Sequence, residues 1–333
     1  MKRSLPTRRQ FAAGALRLGL IGLAGIVVGC SSDKSSEPAS GGRATDTPAK
    51  GSKLTIAVLP TNTPEKLDAD AKQIEAFLSQ RMNREVDLIF PTTYAGVIEA
   101  LRFGHAHAAF MSAWPLALAN KSAGAEIGLA EVREVVIGDQ MKEEPFYYSY
   151  WVVKKDSPIV SLEQLRGKKV ALPSQLSTSG YVAPVARLIE LGLLPKEGTK
   201  EADPKKFFGD LIFAGGYAQG WEALKNGQVD ATVIAGDVPE SLYREVLANT
   251  RVIEQQGPIP SHGVAFAKGL DEQTKAQLKE SLLELGMPEH RELMRKFISG
   301  IFVSFKPTTA QEHLASLNRY LELTNLDFVE RLR

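Results

Sequence analysis

Short apolar runs alternate with longer segments of helical spacing along most of this chain. KLTIAVL at 53–59 is a continuous apolar run that reads as a buried strand ending at Pro60. A polar loop of Thr61, Asn62, Thr63 and Pro64 follows, and 65–80 carries helical periodicity. The run 86–90 reads as the next strand. Residues 94–103 read as a helix with Gly104 at the favoured position past its end, and 105–111 as a returning strand.

The same order then appears again. VALP at 170–173 echoes AVLP at 57–60, and LIF at 211–213 echoes LIF at 88–90. Tyr217 stands four residues after Phe213, as Tyr94 stands four after Phe90. EAL at 222–224 matches EAL at 99–101, and Gly227 matches Gly104. YAGVIEALRFGHAHA and YAQGWEALKNGQVDA are therefore one motif used twice. The expected fold is α/β: two similar lobes with mainly parallel sheets, joined by two hinge crossings. In open parallel sheets, ligands bind beyond the carboxyl ends of the strands. Those ends carry 60–64 and Tyr94 in one lobe, and 174–180 and Tyr217 in the other. Lobes that face one another bring two helix mouths and two phenols to one cleft.

The stretch richest in candidate chemistry is KVALPSQLSTSGYVAPVARLIELGLL, 169–194. Val170, Ala171 and Leu172 form a strand that Pro173 ends. Pro184 lacks an N–H and fits best in a first turn, so the helix is expected to start near Gly180. Ser177, Thr178 and Ser179 then stand at its mouth, where free amides and the helix dipole favour an anion. An ordinary Ser/Thr cap is the other reading of the same residues.

The aromatic, β-branched run 146–153 reads as a strand crossing between lobes. Ser161 with Gln164 reads as a capping box for the short helix SLEQL, which Gly167 ends. GPIPSH at 257–262 introduces the strand GVAFA as a return crossing. Residues 271–333 read as helical, with Leu278, Leu282, Leu283, Leu314, Leu317 and Leu321 padding the first lobe. Lobe 1 is thus expected to comprise 53–150 plus 263–333, and lobe 2 to comprise 151–262.

A chain of 333 residues with 44% hydrophobic content has room for two domains. A net charge of +1 argues against a nucleic-acid binder acting through a basic face. The single cysteine, Cys30, excludes an intrachain disulfide framework and a cysteine-rich metal site. Lys2, Arg3, Arg8 and Arg9 precede an apolar segment at 18–28 of signal-peptide length, so 1–29 reads as a leader. VVGC at 27–30 resembles a bacterial lipobox, with Val27 where leucine is usual. That resemblance implies cleavage before Cys30 and lipidation of its thiol. TRRQF at 7–11 resembles a twin-arginine export signal. Residues 30–52 are rich in Ser, Gly, Pro and charge, and read as a flexible tether. The domain beyond is expected to sit outside the cell membrane, in the periplasm or at the cell exterior, held by lipid.

No GxSxG, HExxH or P-loop occurs, and no catalytic constellation is visible. His105 and His107 lie two apart on a strand and share a side. They read as a metal pair or as a plain solvated or packed pair, and two imidazoles leave a metal's ligand set short. No metal and no cofactor is expected. Asp237 follows the strand VDATVIAG and reads either as a helix cap or as a ligand contact. His262 reads as a turn histidine and Tyr147 as strand packing. Trp114, Trp151 and Trp221 read as packing.

TYAGVIEALRFG, the KKDSP segment with its upstream tyrosines, LPSQLSTSGYVAP, and the GQVDA strand followed by Asp237 together resemble one family. It is the periplasmic substrate-binding proteins of phosphonate and phosphite ABC transporters, and the resemblance covers most of 53–300. It implies a type II periplasmic-binding fold that closes on its ligand, a permease as partner, a monomer, and no catalysis. By position it implies that Ser177, Thr178 and Ser179, opening onto Gly180, hold the oxyanion. Tyr94 donates from the opposite lobe, Tyr147 is a second binding tyrosine, and Asp237 is an acidic site residue. Asp237 is suited to accept from a protonated oxyanion. Two positions depart from the family: Tyr217 stands where a histidine is usual, and His262 where an acid often pairs with a ligand ammonium. The departures imply a ligand without an amine: phosphite, phosphate, a simple phosphonate or another small oxyanion.

Three other readings compete. One is a different ligand on the same fold, such as a sulfonate, thiamine precursor or metal chelate. Another is an enzyme on a similar scaffold, such as a porphobilinogen-type deaminase, which needs a cofactor-bearing cysteine or a base. The third is a sensor that hands its ligand-bound state to a membrane kinase.

Overall fold

The computed structural model describes residues 53–58, 64–91, 93–175, 177–196 and 198–326, with backbone alone for 64–69 and 94. The leader, the tether, Cys30 and Thr61 to Thr63 lie outside the described residues.

The first lobe opens with β1 (Leu54–Val58), α1 (Pro64–Met82), β2 (Val86–Ile89), α2 (Tyr94–Arg102) and β3 (Ala108–Met111). Both β2 and β3 pair parallel with β1. Then come α3 (Ala113–Leu118), β4 (Glu126–Ile137) and the hairpin partner β5 (Gln140–Glu144). The chain passes into a second sheet with β6 (Phe146–Lys154). There β7 (Lys169–Leu172), α4 (Ala183–Glu190), β8 (Asp210–Phe213), α5 (Tyr217–Lys225) and β9 (Ala231–Ala235) repeat the opening order. Again both later strands pair parallel with the first. After α6 (Glu240–Asn249), the strand β10 (Thr250–Pro260) runs antiparallel to β6, and β11 (Gly263–Phe266) returns to the first sheet.

Among the described residues the first sheet has the order β12-β4-β11-β3-β1-β2, with β5 on β4, and the second has the order β10-β6-β9-β7-β8. The cores β3-β1-β2 and β9-β7-β8 are the same arrangement used twice, as the repeat requires. Gly104 and Gly227 end the equivalent helices with φ of +74° and +70°, a conformation that costs glycine nothing. One detail differs between the copies. Leu88 pairs with Ile56, four residues before Pro60, whereas Leu211 pairs with Val170, three before Pro173.

The segment read as wholly helical, 271–333, is not. It holds α7 (Glu272–Leu285), α8 (Arg291–Phe297), the strand β12 (Phe302–Pro307), α9 (Ala310–His313) and α10 (Ala315–Thr324). The run FVSF between Gly300 and Pro307 is aromatic, β-branched and too short for a helix, and it completes the sheet on β4. Nor does all of the segment cover the first sheet: α10 packs on α4 and β10, and Thr324 O accepts from Ala202 N at 2.8 Å. The capping box at Ser161 is also absent. Gln164 Oε1 accepts from Val160 N at 2.6 Å, and only a 3-10 turn, Glu163–Leu165, forms.

Alternation along β1 sends Leu54, Ile56 and Val58 into one apolar cluster with Ile74, Leu78, Leu278 and Leu282, and Ala57 into another. The second cluster continues beneath the second sheet through Trp151, Val170 and Val185. The chain crosses between the sheets at Pro145 and again at Ser261–His262. All of β6, Tyr147 included, therefore belongs to the second sheet, and the crossing falls before Phe146 rather than at the expected 150/151 boundary. Ser261 N donates to Pro145 O at 3.0 Å, so the two crossings are tied side by side.

Candidate functional site

The helix after β7 begins two residues earlier than Pro184 alone suggested. Ser177 is its N-cap in extended conformation, and the first turn, Thr178–Val182, is a π turn before α4. The cause is local. Pro184 has no N–H to return to the carbonyl one turn back, and the ladder closes instead by Ala183 N donating to Thr178 O. Ser177 Oγ accepts from Gly180 N at 2.9 Å, so this hydroxyl is a cap. The amides of Thr178 and Ser179 sit at the first two positions, where helix geometry supplies no acceptor. Gly180 is required by space. A Cβ there would lie 2.7 Å from Pro173 Cγ and 2.9 Å from Ser177 Oγ.

Thr178 and Ser179 are buried, and Ser179 is the centre of a hydroxyl chain. Tyr147 Oη, from β6, donates to Ser179 Oγ at 3.1 Å. Ser179 Oγ and Tyr217 Oη, at the start of α5, are 2.6 Å apart. Burial pushes both phenols above their ordinary range, and the charge of Asp237 adds to it, so both stay protonated and able to donate.

Asp237 is not a helix cap: α6 starts at Glu240 with Pro239 as its N-cap. Its carboxylate instead faces Arg133 Nη1 at 3.5 Å. Arg133 belongs to none of the sequence motifs above. It lies on β4, is 3% exposed, and forms its close pair with Glu131, which is fully buried. Nε and Nη2 reach Glu131 Oε2 at 2.9 and 2.7 Å. The alternation of β4 puts residues 131 and 133 on one face. Burial alone would lower the guanidinium, but the Glu131 and Asp237 carboxylates outweigh it and hold it charged. Burial raises both carboxyls, and Arg133 opposes the rise in each. The signal available in the sequence was the acid and base two apart inside AEVREVV, a strand otherwise apolar enough to bury them.

His262 lies in the return crossing, between Ser261, whose Oγ donates to Glu131 O, and Gly263. Burial lowers its imidazole well below the usual value, and the charge of Arg133 lowers it further, so it stays neutral. Tyr94 is the first residue of α2, whose N-cap Thr93 accepts from Gly96 N at 3.0 Å; the Tyr94 side chain lies outside the described residues. The structure thus gathers Tyr147, Ser179 and Tyr217 into one chain, with Asp237 beside it. His107 is a packed residue: its Nδ1 accepts from Thr55 N at 3.0 Å, closing the β1–β3 ladder. A separate cavity of about 320 Å³ at the crossings is lined by Pro145, Pro258, Pro260 and His313, and takes none of the hydroxyl chain.

Two lobes of repeated α/β topology, joined by paired crossings with polar groups at their junction, define a bilobed binding-protein fold. The chain matches the model of the family described as ABC transporter, phosphonate, periplasmic substrate-binding protein over residues 56–313, and it belongs to that family. It is 30% identical over 182 residues to the phosphate-import protein PhnD of Mycolicibacterium smegmatis, a match spanning 54% of this chain and 53% of that one. It is 24% identical over 254 residues to the phosphonates-binding periplasmic protein of Escherichia coli, spanning 73% and 69%. The chain thus aligns with only about half the length of the mycobacterial relative. In fold it is similar to a crystal structure of a binding protein component of an ABC phosphonate transporter from Pseudomonas aeruginosa. That likeness has a TM-score of 0.58 at 20% identity and covers 82% of this chain and 87% of that one. None of the described helices is long and apolar enough to cross a membrane.

Proposed function

We propose that this chain is the lipid-anchored, monomeric binding component of an ABC importer. Its ligand is a small phosphorus oxyanion without an amine: phosphite, phosphate or a simple phosphonate. The observation that carries the reading is the hydroxyl chain Tyr147–Ser179–Tyr217 beside the first amides of a helix. These three hydroxyls can turn their protons toward an anion, and the amides at Thr178 and Ser179 add fixed donors. In this reading Thr178 and Ser179 hold the oxyanion oxygens, with Ser177 shaping the turn and Gly180 admitting it. Tyr94 donates from the first lobe, and Tyr147 and Tyr217 from the second. Asp237 accepts from a protonated oxygen, and His262 contributes a neutral imidazole where an acid would be needed for an ammonium. The family, with its membership in transport systems, supports a permease as partner and delivery rather than turnover of the ligand.

A thermal-shift and calorimetry screen of the full chain in detergent tests the ligand class. Phosphate, phosphite and methylphosphonate should raise Tm. Tight binding of 2-aminoethylphosphonate with no response to the inorganic oxyanions would refute the proposal. For the anchor, Cys30→Ser should move the exported chain from the membrane fraction to the soluble one. Unchanged fractionation removes the lipid from the account.

A further inference from the structure

We infer that Arg133 is the anion-receiving cation of this site, and that Glu131 and Asp237 set its specificity by holding a guanidinium where an amine-bearing ligand would put its own positive charge. The inference rests on the oxyanion reading above and names how that anion is met.

The geometry divides the guanidinium into two unequal edges. One edge, Nε with Nη2, is bound to Glu131 Oε2 at 2.9 and 2.7 Å, within the range of strong charge-assisted bonds. Glu131 is on the same strand and fully buried, so this half is fixed from behind. Among the described residues the other edge has a single hydrogen-bond contact, 3.5 Å from Nη1 to Asp237, well beyond that range. Asp237 belongs to the other sheet, beyond the end of β9. A contact that is both long and made across the junction is the one an incoming oxygen can replace. An oxyanion at Nη1 would gain a short charge-assisted bond in a dry site, while Tyr147, which neighbours both Arg133 and Asp237, and Ser179 take its other oxygens.

The same arrangement argues against a cationic ligand. Glu131 is committed to Arg133, and Asp237 already faces it. His262, at the return crossing and held neutral by burial, offers an ammonium no charge either. An ammonium entering here meets a buried guanidinium of like charge and finds no uncommitted carboxylate among these residues. Glu131 Oε1 is buried with no hydrogen-bond partner among the described residues. It marks the cost of keeping an ion pair where an apolar strand would otherwise run.

The test is calorimetry on the full chain in detergent with phosphate, methylphosphonate and 2-aminoethylphosphonate. The main variant is the double E131Q/R133Q, which replaces both members of the tight pair with amides, and the triple E131Q/R133Q/D237N also removes the carboxylate that would lose its cation. Affinity for the better of the first two ligands should fall by about 30-fold or more. The response to 2-aminoethylphosphonate, relative to that ligand, should rise. Should the double variant lack a cooperative melt, R133K keeps the charge beside Glu131 but loses the forked second edge. It should still weaken the anion by about tenfold or more. Oxyanion affinity within about threefold of wild type in any folded variant overturns the role of Arg133 while leaving the oxyanion reading intact. Wild-type chain that binds neither oxyanion overturns both.

Discussion

Arg133 Nη1 and Asp237 Oδ2 lie 3.5 Å apart across the junction of the two sheets, one on β4 and the other just past β9. On the other edge of the guanidinium, Glu131 is bonded to Nη2 at 2.7 Å. The site therefore contains a buried ion pair with a looser third member, and its stability consequences can be separated from its binding ones.

Removing one charge of the tight pair should cost more than removing both. E131Q leaves Arg133 with a weaker partner in a buried place, and loss of a buried pair's partner costs about 3–5 kcal/mol. The double E131Q/R133Q should recover part of that. Urea unfolding of the two singles and the double forms the cycle. Additive losses would show that the pair does not act as a unit.

The hydroxyl chain makes a different prediction. Ser179→Ala removes the oxygen shared by Tyr147, which is buried, and Tyr217, which is half-buried, and leaves both phenols without their common partner. Stability should fall by about 1–3 kcal/mol, and oxyanion binding should be lost. Ser177→Ala with Thr178→Ala should also abolish binding with the fold intact by circular dichroism. Unchanged affinity in both variants would place the ligand elsewhere.

Gly180→Ala tests the close approach at the helix mouth. The new methyl would lie 2.7 and 2.8 Å from the Pro173 ring and 2.9 Å from Ser177 Oγ. The turn must shift, at about 1–3 kcal/mol for such overpacking, and the cap bond from Gly180 N should weaken. A thermal melt matching wild type would mean the loop yields freely.

Acidification should weaken the fold through His313. Burial lowers its imidazole from 6.5 to about 4, against the opposing pull of the Ser261 carbonyl and Glu312. Between those two values the unfolded chain binds a proton that the folded one does not. Stability from this group is therefore full above about 6.5 and declines as pH falls toward about 4. Glu131 and Asp237, raised by burial, act with the opposite sign, so the comparison must be differential. H313Q keeps a donor for Ser261 O, which His313 Nε2 meets at 3.1 Å, and removes the titration. Its Tm should decline less than that of wild type from pH 6.5 to pH 4; parallel curves would exclude His313 as the source.

The repeat was legible in the residues because each copy must bury the same faces. LIF, EAL and the paired glycines at 104 and 227 are local requirements of strand, helix and left-handed turn, and local requirements are written locally. Ser177, Thr178, Ser179 and Gly180 were legible for the same reason. What stayed hidden were features decided by distant partners. FVSF became a strand because β4 offered an open edge. α10 left the first lobe to cover α4 and β10. Whether Asp237 capped a helix or faced a cation could not be read from its neighbours in sequence, since its partner lies 104 residues away. The chain's own order of residues thus settled the two-lobed α/β plan and the helix mouth, through periodicity and turn chemistry. Only the folding together of two sheets buried the Glu131–Arg133 pair and set Asp237 against it, because burial and charge pairing depend on what arrives from elsewhere in the chain.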